Sequence, residues 1–138
     1  MKVTLDTNVL ISGTFWSGDS FRILELIDKK KIKCALSEEI IKEYYKIANS
    51  DEIIEKKENK KLIISKIVSK VISDSDIVHP KRRINVVKDD PDDNKILECA
   101  YAAKVDYIIT QDNHLLKLKE FEGIKIINPG DLLKKIIK

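Results

Sequence analysis

The stretch Val3-Thr4-Leu5-Asp6-Thr7-Asn8-Val9-Leu10-Ile11 places an acid, a hydroxyl and an amide inside an apolar run. Residues 2–5 have the apolar character of a short buried strand, and Asp6 then stands at the carboxyl end of that strand. A carboxylate in this position either bonds backbone amides in a turn or takes part in a site at the end of the strand. Asp6 alone does not decide between these two interpretations.

Length and composition predict one soluble globular domain over residues 1–138, with 43% hydrophobic and 36% charged residues. No apolar run approaches the ~20 residues of a membrane span, and no secretory signal pattern is visible. Cys34 and Cys99 lie in apolar segments, which favours buried thiols in a reducing cytoplasm over a disulfide. A net charge of +3 permits nucleic-acid binding without arguing for it.

Apolar periodicity predicts that strands alternate with helices along the chain. The predicted strands are 2–5, 32–36, 77–78, 106–110 and 124–127, and 84–87 is a further extended piece. The predicted helices begin near the caps Ser20 and Ser37, cover 64–72, and run from Pro91 to about Lys104, whereas 15–20 is a loop and 51–58 a helix or a loop. This order predicts a three-layer α/β/α domain with a mainly parallel sheet, in which ligands bind at the carboxyl ends of the strands.

Four carboxylates from four segments are predicted to converge on that edge of the sheet. Asp6 and Asp112 each follow a strand, and Asp93 lies on the apolar stripe at the start of its helix. Glu43 flanks the apolar face of the helix that begins after Ser37. Because carboxylates at short range repel one another, the pattern favours one or two hard divalent cations, Mg²⁺ or Mn²⁺.

Each acid also has a local interpretation. Asp6 could end its strand by bonding backbone amides, and Glu43 could be a solvated helix acid. The acids at 90, 92 and 93 all suit a helix start, and Asp112 could cap the short helix that follows it. The functional interpretation therefore depends on all four acids meeting at one edge.

Four motifs, in order, resemble the PIN-domain family, and the match follows the branch of VapC-like toxins over essentially the whole chain. These motifs are Asp6-Thr7-Asn8-Val9-Leu10-Ile11-Ser12, Glu39-Ile40-Ile41-Lys42-Glu43, Asp93-Asn94-Lys95-Ile96-Leu97-Glu98-Cys99-Ala100 and Thr110-Gln111-Asp112. The resemblance implies an α/β/α sandwich and a magnesium- or manganese-dependent ribonuclease. It assigns Asp6, Glu43, Asp93 and Asp112 as the catalytic and metal-binding positions.

The resemblance also implies supporting residues and partners. Asn8 and Thr110 match positions that support the site by hydrogen bonding. A homodimer and a small antitoxin protein that occupies the active-site groove are expected. His114 stands where related sequences often carry a fifth acid, which puts full occupancy of a second metal in doubt. His114 is either a phosphate contact or a surface histidine at a helix start.

Two exposed-looking segments are candidates for RNA contact. Lys81, Arg82 and Arg83 could bind the RNA backbone, although a solvated basic loop is the commoner meaning of such a run. Trp16 could stack on an unpaired base or pack against the core or a second subunit. The alternative function is a catalytically silent PIN-like domain that binds RNA or protein. Phosphatase- and receiver-like interpretations fit poorly, since Asn8 occupies the place of the second phosphatase acid.

Overall fold

The computed structural model describes residues 1–50 and 61–136, without the side chains at 61–63. The predicted element at 51–58 lies outside the described residues. The elements are β1 (Lys2–Leu5), α1 (Thr7–Phe15), α2 (Asp19–Asp28), β2 (Lys33–Ser37), α3 (Glu38–Ala48), α4 (Lys61–Ser73), β3 (Asp76–Val78), a 3-10 helix (Pro91–Asp93), α5 (Asn94–Ala103), β4 (Tyr107–Ile109), α6 (Asn113–Leu116), β5 (Glu120–Phe121), β6 (Ile124–Ile127) and α7 (Pro129–Ile136). None of the described helices is long and apolar enough to cross a membrane.

The six strands form one sheet in the order β3-β2-β1-β4-β6-β5. The pairings among β3, β2, β1, β4 and β6 are parallel, and only β5 runs antiparallel, against β6. In the centre of the sheet, Val3 pairs with Cys34 on one side and with Tyr107 on the other. The predicted mainly parallel sheet is confirmed, and the short edge strand β5 is an addition to it.

Helices cover both faces of this sheet. Successive side chains of a strand point to opposite faces, and Val3, Thr4 and Leu5 are all fully buried. Helix α5 packs against β1, β2 and β4, while α1 packs against α2, α3 and α4. The predicted three-layer α/β/α arrangement is therefore confirmed, and the carboxyl ends of β1 and β4 open at one edge.

The segment after Asp6 is a helix, which the sequence did not reveal. Helix α1 buries Val9, Leu10 and Ile11 together, so it shows no stripe of helical period. The predicted cap Ser20 is wrong, because α2 begins at Asp19 and Ser20 is buried inside it. The predicted cap Ser37 is confirmed, since its hydroxyl accepts a hydrogen bond from the backbone N–H of Ile40.

Residues 84–90, here called the 84–90 loop, run along α5, and the predicted extended piece at 84–87 forms no strand. Side chains of α5, and not a neighbouring strand, accept hydrogen bonds from the backbone N–H groups of this loop. Glu98 Oε2 accepts from the N–H of Ile84 at 2.9 Å, and Asn94 Oδ1 accepts from Val86 and Val87 at 3.0 and 2.9 Å. The loop therefore reaches the start of α5 in a fixed position.

Candidate active site

Asp6 lies at the carboxyl edge of the sheet, between β1 and α1. Its backbone N–H donates to the carbonyl of Ile109, and its side chain is only 5% exposed. The buried hydroxyl of Thr110 donates to Asp6 Oδ2 at 2.7 Å and accepts from the backbone N–H of Asp112 at 3.0 Å. Thr110 thus connects the two acids that follow β1 and β4. The backbone N–H groups of Thr7 and Asn8 face the Asp6 carboxylate and lower its pKa, but they form no regular cap of α1.

Asp93 ends the 3-10 helix that leads into α5, and it is 8% exposed. Its Oδ2 atom is buried and has no hydrogen-bond partner among the described residues. Asp112 is a further predicted acid at this edge, and its carboxylate accepts a hydrogen bond from the backbone N–H of His114 at 2.7 Å. Asp112 therefore caps α6, as its local interpretation requires, while it also stands beside Asp93.

Burial and neighbouring carboxylates raise the pKa of Asp93 and of Asp6. The pKa of Asp93 is raised to about 8, mainly by burial, then by the hydrogen bond and charge of Asp112 and by the charges of Asp6 and Asp90. The pKa of Asp6 is also raised, chiefly by burial, although the hydrogen bond from Thr110 opposes the shift. Without a cation, Asp93 therefore keeps a proton at neutral pH.

One group of side chains is placed to hold a metal ion. Ligand atoms of Asp90, Asp93, Asp112 and His114 all lie within 4.8 Å of one another. Three carboxylates suit a hard divalent cation, and an imidazole is compatible with a transition metal. The buried, unpaired oxygen of Asp93 is a further sign that the donor set fits a cation. Asp6 stands outside this group but influences the pKa of Asp93 through its charge.

Glu43, the fourth predicted acid, is bound to a lysine. Lys95 of α5 donates a short hydrogen bond to Glu43 Oε2 and a second to Asp92 Oδ2, the latter at 2.7 Å. Burial lowers the pKa of Lys95, but these two carboxylates outweigh it, and the pKa is raised overall. The structure thus brings Asp6, Asp93 and Asp112 together and places Glu43 in an ion pair between α3 and α5.

A comparison with known protein families shows where this chain belongs. The sequence model of the family described as PIN domain matches residues 2–114. The chain belongs to the PIN-domain family. PIN domains are generally nucleases, and they use divalent metals, for which the acidic cluster at the sheet edge is suited.

Two similar proteins extend the comparison. The chain is 37% identical over 130 residues to the uncharacterized protein MJ1680 of Methanocaldococcus jannaschii. The matched region covers 93% of this chain and 82% of that protein. The chain is also similar to a chain in the crystal structure of VapBC2 from Rickettsia felis bound to a DNA fragment from their promoter, with a TM-score of 0.62. That match has 18% identity and covers 93% of this chain and 98% of the other, so it supports the PIN-domain fold alone.

The arginines predicted to contact RNA pair with carboxylates outside the group formed by Asp90, Asp93, Asp112 and His114. Arg82 donates to Glu122 at 2.7 Å and lies over the ring of Tyr101, 4.7 Å from the ring centre. Glu122 precedes the amino end of β6, so Arg82 stands toward the sheet edge opposite the acidic one. Arg83 pairs with carboxylates of α3 and α5, and the side chains of residues 81–83 are exposed.

The other predicted residues have simpler surroundings. Asn8 is exposed in the first turn of α1, next to Asp6, and makes no side-chain hydrogen bond within residues 1–50 and 61–136. Trp16 is 46% exposed directly after α1, and its ring centre lies 5.9 Å from that of Phe15. These positions leave the predicted roles of both residues as proposals.

Asn94 is a site-positioning residue that the sequence did not reveal. Besides accepting two amide hydrogens of the 84–90 loop, its Nδ2 donates to the carbonyls of Val87 and Pro91, both at 3.0 Å. It therefore ties together the loop that ends at Asp90 and the 3-10 helix that ends at Asp93. The signal was its place directly after a predicted ligand, but a first-turn asparagine has too many local uses to be singled out.

Proposed function

We propose that this PIN domain is a divalent-metal-dependent endoribonuclease that hydrolyses RNA phosphodiester bonds. The observation that carries the proposal is the Asp93 carboxylate, buried beside Asp6 and Asp112 with no Lys or Arg ion pair among the described residues. Like charges at short range destabilise a fold unless a cation compensates them. Strongly perturbed, clustered carboxylates are also typical of catalytic sites.

The four carboxylates Asp6, Glu43, Asp93 and Asp112 are proposed as the catalytic and metal-binding residues. One or two Mg²⁺ or Mn²⁺ ions would supply charge stabilisation at the scissile phosphate and a more acidic water. Thr110 orients Asp6 through its 2.7 Å hydrogen bond. Asp93, with its pKa raised to about 8, is suited to hold or accept a proton near neutral pH. For Glu43 to bind a metal ion, its ion pair with Lys95 would have to break.

A partner protein is also part of the proposal. The R. felis neighbour was solved as VapBC2 with promoter DNA, and by analogy we propose a small antitoxin protein as a partner of this chain. A homodimer, a cytoplasmic location, an auxiliary role of Asn8 and RNA contacts by residues 81–83 and Trp16 stay predictions. RNA affinity of alanine variants tests Asn8, Trp16 and residues 81–83, and the oligomeric state of the natural chain in solution tests the homodimer.

The proposed function is tested with Asp6→Asn, which keeps the shape of the side chain but removes its charge. Cleavage of a fluorogenic single-stranded RNA with Mg²⁺ or Mn²⁺ should fall by on the order of 10³-fold or more. Asp131→Asn, at an exposed position of α7, is the matched control and should cleave at the natural rate. Undiminished cleavage by identically purified Asp6→Asn protein would show that the activity belongs elsewhere.

A catalytically silent domain that binds RNA or protein is the second candidate, and the Glu43–Lys95 ion pair favours it. The ammonium group of Lys95 already neutralises Glu43, so this predicted ligand has no need of a metal ion. This alternative predicts RNA binding without turnover and no loss of binding after chelation of metal. Calorimetry with Mn²⁺ separates the two candidates, because only the nuclease requires a bound ion.

A further inference from the structure

We propose that His114 is a ligand of the divalent cation, together with Asp90, Asp93 and Asp112, and that this donor set binds Mn²⁺ more tightly than Mg²⁺. The four acids implied by the family resemblance include neither His114 nor Asp90. The inference deepens the proposed function, because the same sheet edge would hold the catalytic ion. It adds a nitrogen ligand and a preference among metals.

The distances within the group fit one ion. Its ligand atoms come from the end of the 84–90 loop, from the 3-10 helix and from the start of α6, and all lie within 4.8 Å of one another. A cation of the size of Mg²⁺ binds oxygen at about 2.1 Å, so its ligands stand about 3 Å apart when adjacent and about 4.2 Å apart when opposite. Small side-chain rotations would therefore close the group around an ion.

The buried oxygen of Asp93 is independent support for a ligand at this point. Asp93 is more than nine-tenths buried, and its Oδ2 accepts no hydrogen bond within the part of the chain that the structure describes. A buried acceptor without a partner is unfavourable, and more so when it is charged. A metal ion bound between Asp93 and its neighbours removes this cost.

His114 is held beside the carboxylates while its ring stays available. Its backbone N–H donates to Asp112 Oδ1 at 2.7 Å, which fixes the first turn of α6 against this acid. The ring atom Nδ1 lies 3.5 Å from the same oxygen, too far for a good hydrogen bond. The side chain is 43% exposed, so an ion from solvent can reach it.

The imidazole determines which ion is favoured. Mg²⁺ takes oxygen ligands almost exclusively and keeps several waters. Transition ions accept imidazole nitrogen readily, and Mn²⁺ also suits the three carboxylates. A set of three oxygens and one nitrogen therefore discriminates in favour of Mn²⁺, whereas an acid at position 114 would reduce the discrimination.

The test measures metal binding by calorimetry and nitrogen coordination by pulsed electron paramagnetic resonance of bound Mn²⁺. The natural chain should show a ¹⁴N coupling. His114→Ala should lose this coupling and bind Mn²⁺ about tenfold or more weakly, with a smaller change for Mg²⁺. His114→Asp should recover Mg²⁺ binding without the coupling. His79→Ala removes the other histidine of the chain, at an exposed position, and should match the natural protein.

Two results would overturn the inference: no ¹⁴N coupling in the natural chain, or a Mn²⁺ affinity of His114→Ala that is unchanged or higher. A higher affinity would mean that His114 acts as a competing positive charge beside Asp112. Failure of the proposed function is distinct from these results. A chain that binds Mn²⁺ with the nitrogen coupling but cleaves no RNA would refute the nuclease and leave His114 as a metal ligand.

Discussion

Two buried carboxylates near the start of α5 have opposite surroundings. Asp93 is 8% exposed and Glu98 is 6% exposed. Glu98 accepts the backbone N–H of Ile84 at 2.9 Å and faces Arg83 at 3.5 Å, so its oxygens are compensated. Asp93 has an unpaired oxygen and faces another acid, Asp112. Burial alone therefore does not mark a functional acid, whereas burial without compensation does.

The largest expected difference between the two acids is in catalysis. Asp93→Asn should reduce metal-dependent RNA cleavage by on the order of 10³-fold, because the variant loses a metal-binding charge. Glu98→Gln keeps the shape of its side chain and one acceptor for Ile84, so its rate should stay within about tenfold of the natural rate. The check is a single-turnover RNA cleavage assay at saturating Mn²⁺. Equal losses in both variants would remove the proposed distinction between the two acids.

The difference in stability should be smaller and should fall on Glu98. Glu98→Ala leaves the buried N–H of Ile84 without an acceptor and should lower the free energy of unfolding by about 1–3 kcal/mol. Glu39 faces the same Arg83 from an exposed position, so Glu39→Ala should cost less than about 1 kcal/mol. Urea unfolding monitored by circular dichroism measures both values. A larger loss in Glu39→Ala would contradict the structural role given to Glu98.

The contrast between the two acids also shows what the sequence could predict. The positions of Asp6 and Asp112 follow from the topology, because both lie within three residues of the carboxyl ends of parallel strands that end at one edge. The place of Asp93 follows from the start of its helix. These three placements need only the order of strands and helices, and the periodicity of the apolar residues supplies that order.

The compensating contacts could not be predicted in the same way. The ion pair of Glu43 with Lys95 depends on how α3 and α5 approach each other, and a long lysine side chain has many alternative positions. The side chains of Asn94 and Glu98 likewise accept hydrogen bonds from backbone N–H groups of the 84–90 loop. No periodic pattern in the sequence connects these groups. Helix α1 was missed for a different reason, since it is buried on several sides and shows no amphipathic period.

The two acids should also differ in how the stability of the metal-free protein depends on pH. The pKa of Asp93 is raised from its ordinary value of 3.8 to about 8, so between these values the folded chain binds a proton that the unfolded chain has released. Stability should therefore fall as the pH rises from about 4 to about 8. Asp93→Asn should flatten this slope and be more stable than the natural chain at pH 8, because its amide carries no charge at that pH.

Thermal unfolding in chelator across this pH range measures the slope, and Glu98→Gln is its control. A residual slope should persist in Asp93→Asn, because the pKa of the buried Asp6 is also raised. Saturating Mn²⁺ should reverse the trend in the natural chain, since the ion binds the deprotonated carboxylates. If the slope of stability against pH is unchanged in Asp93→Asn, the proton resides on another acid of the cluster. That acid, and not Asp93, would then be the uncompensated one to compare with Glu98.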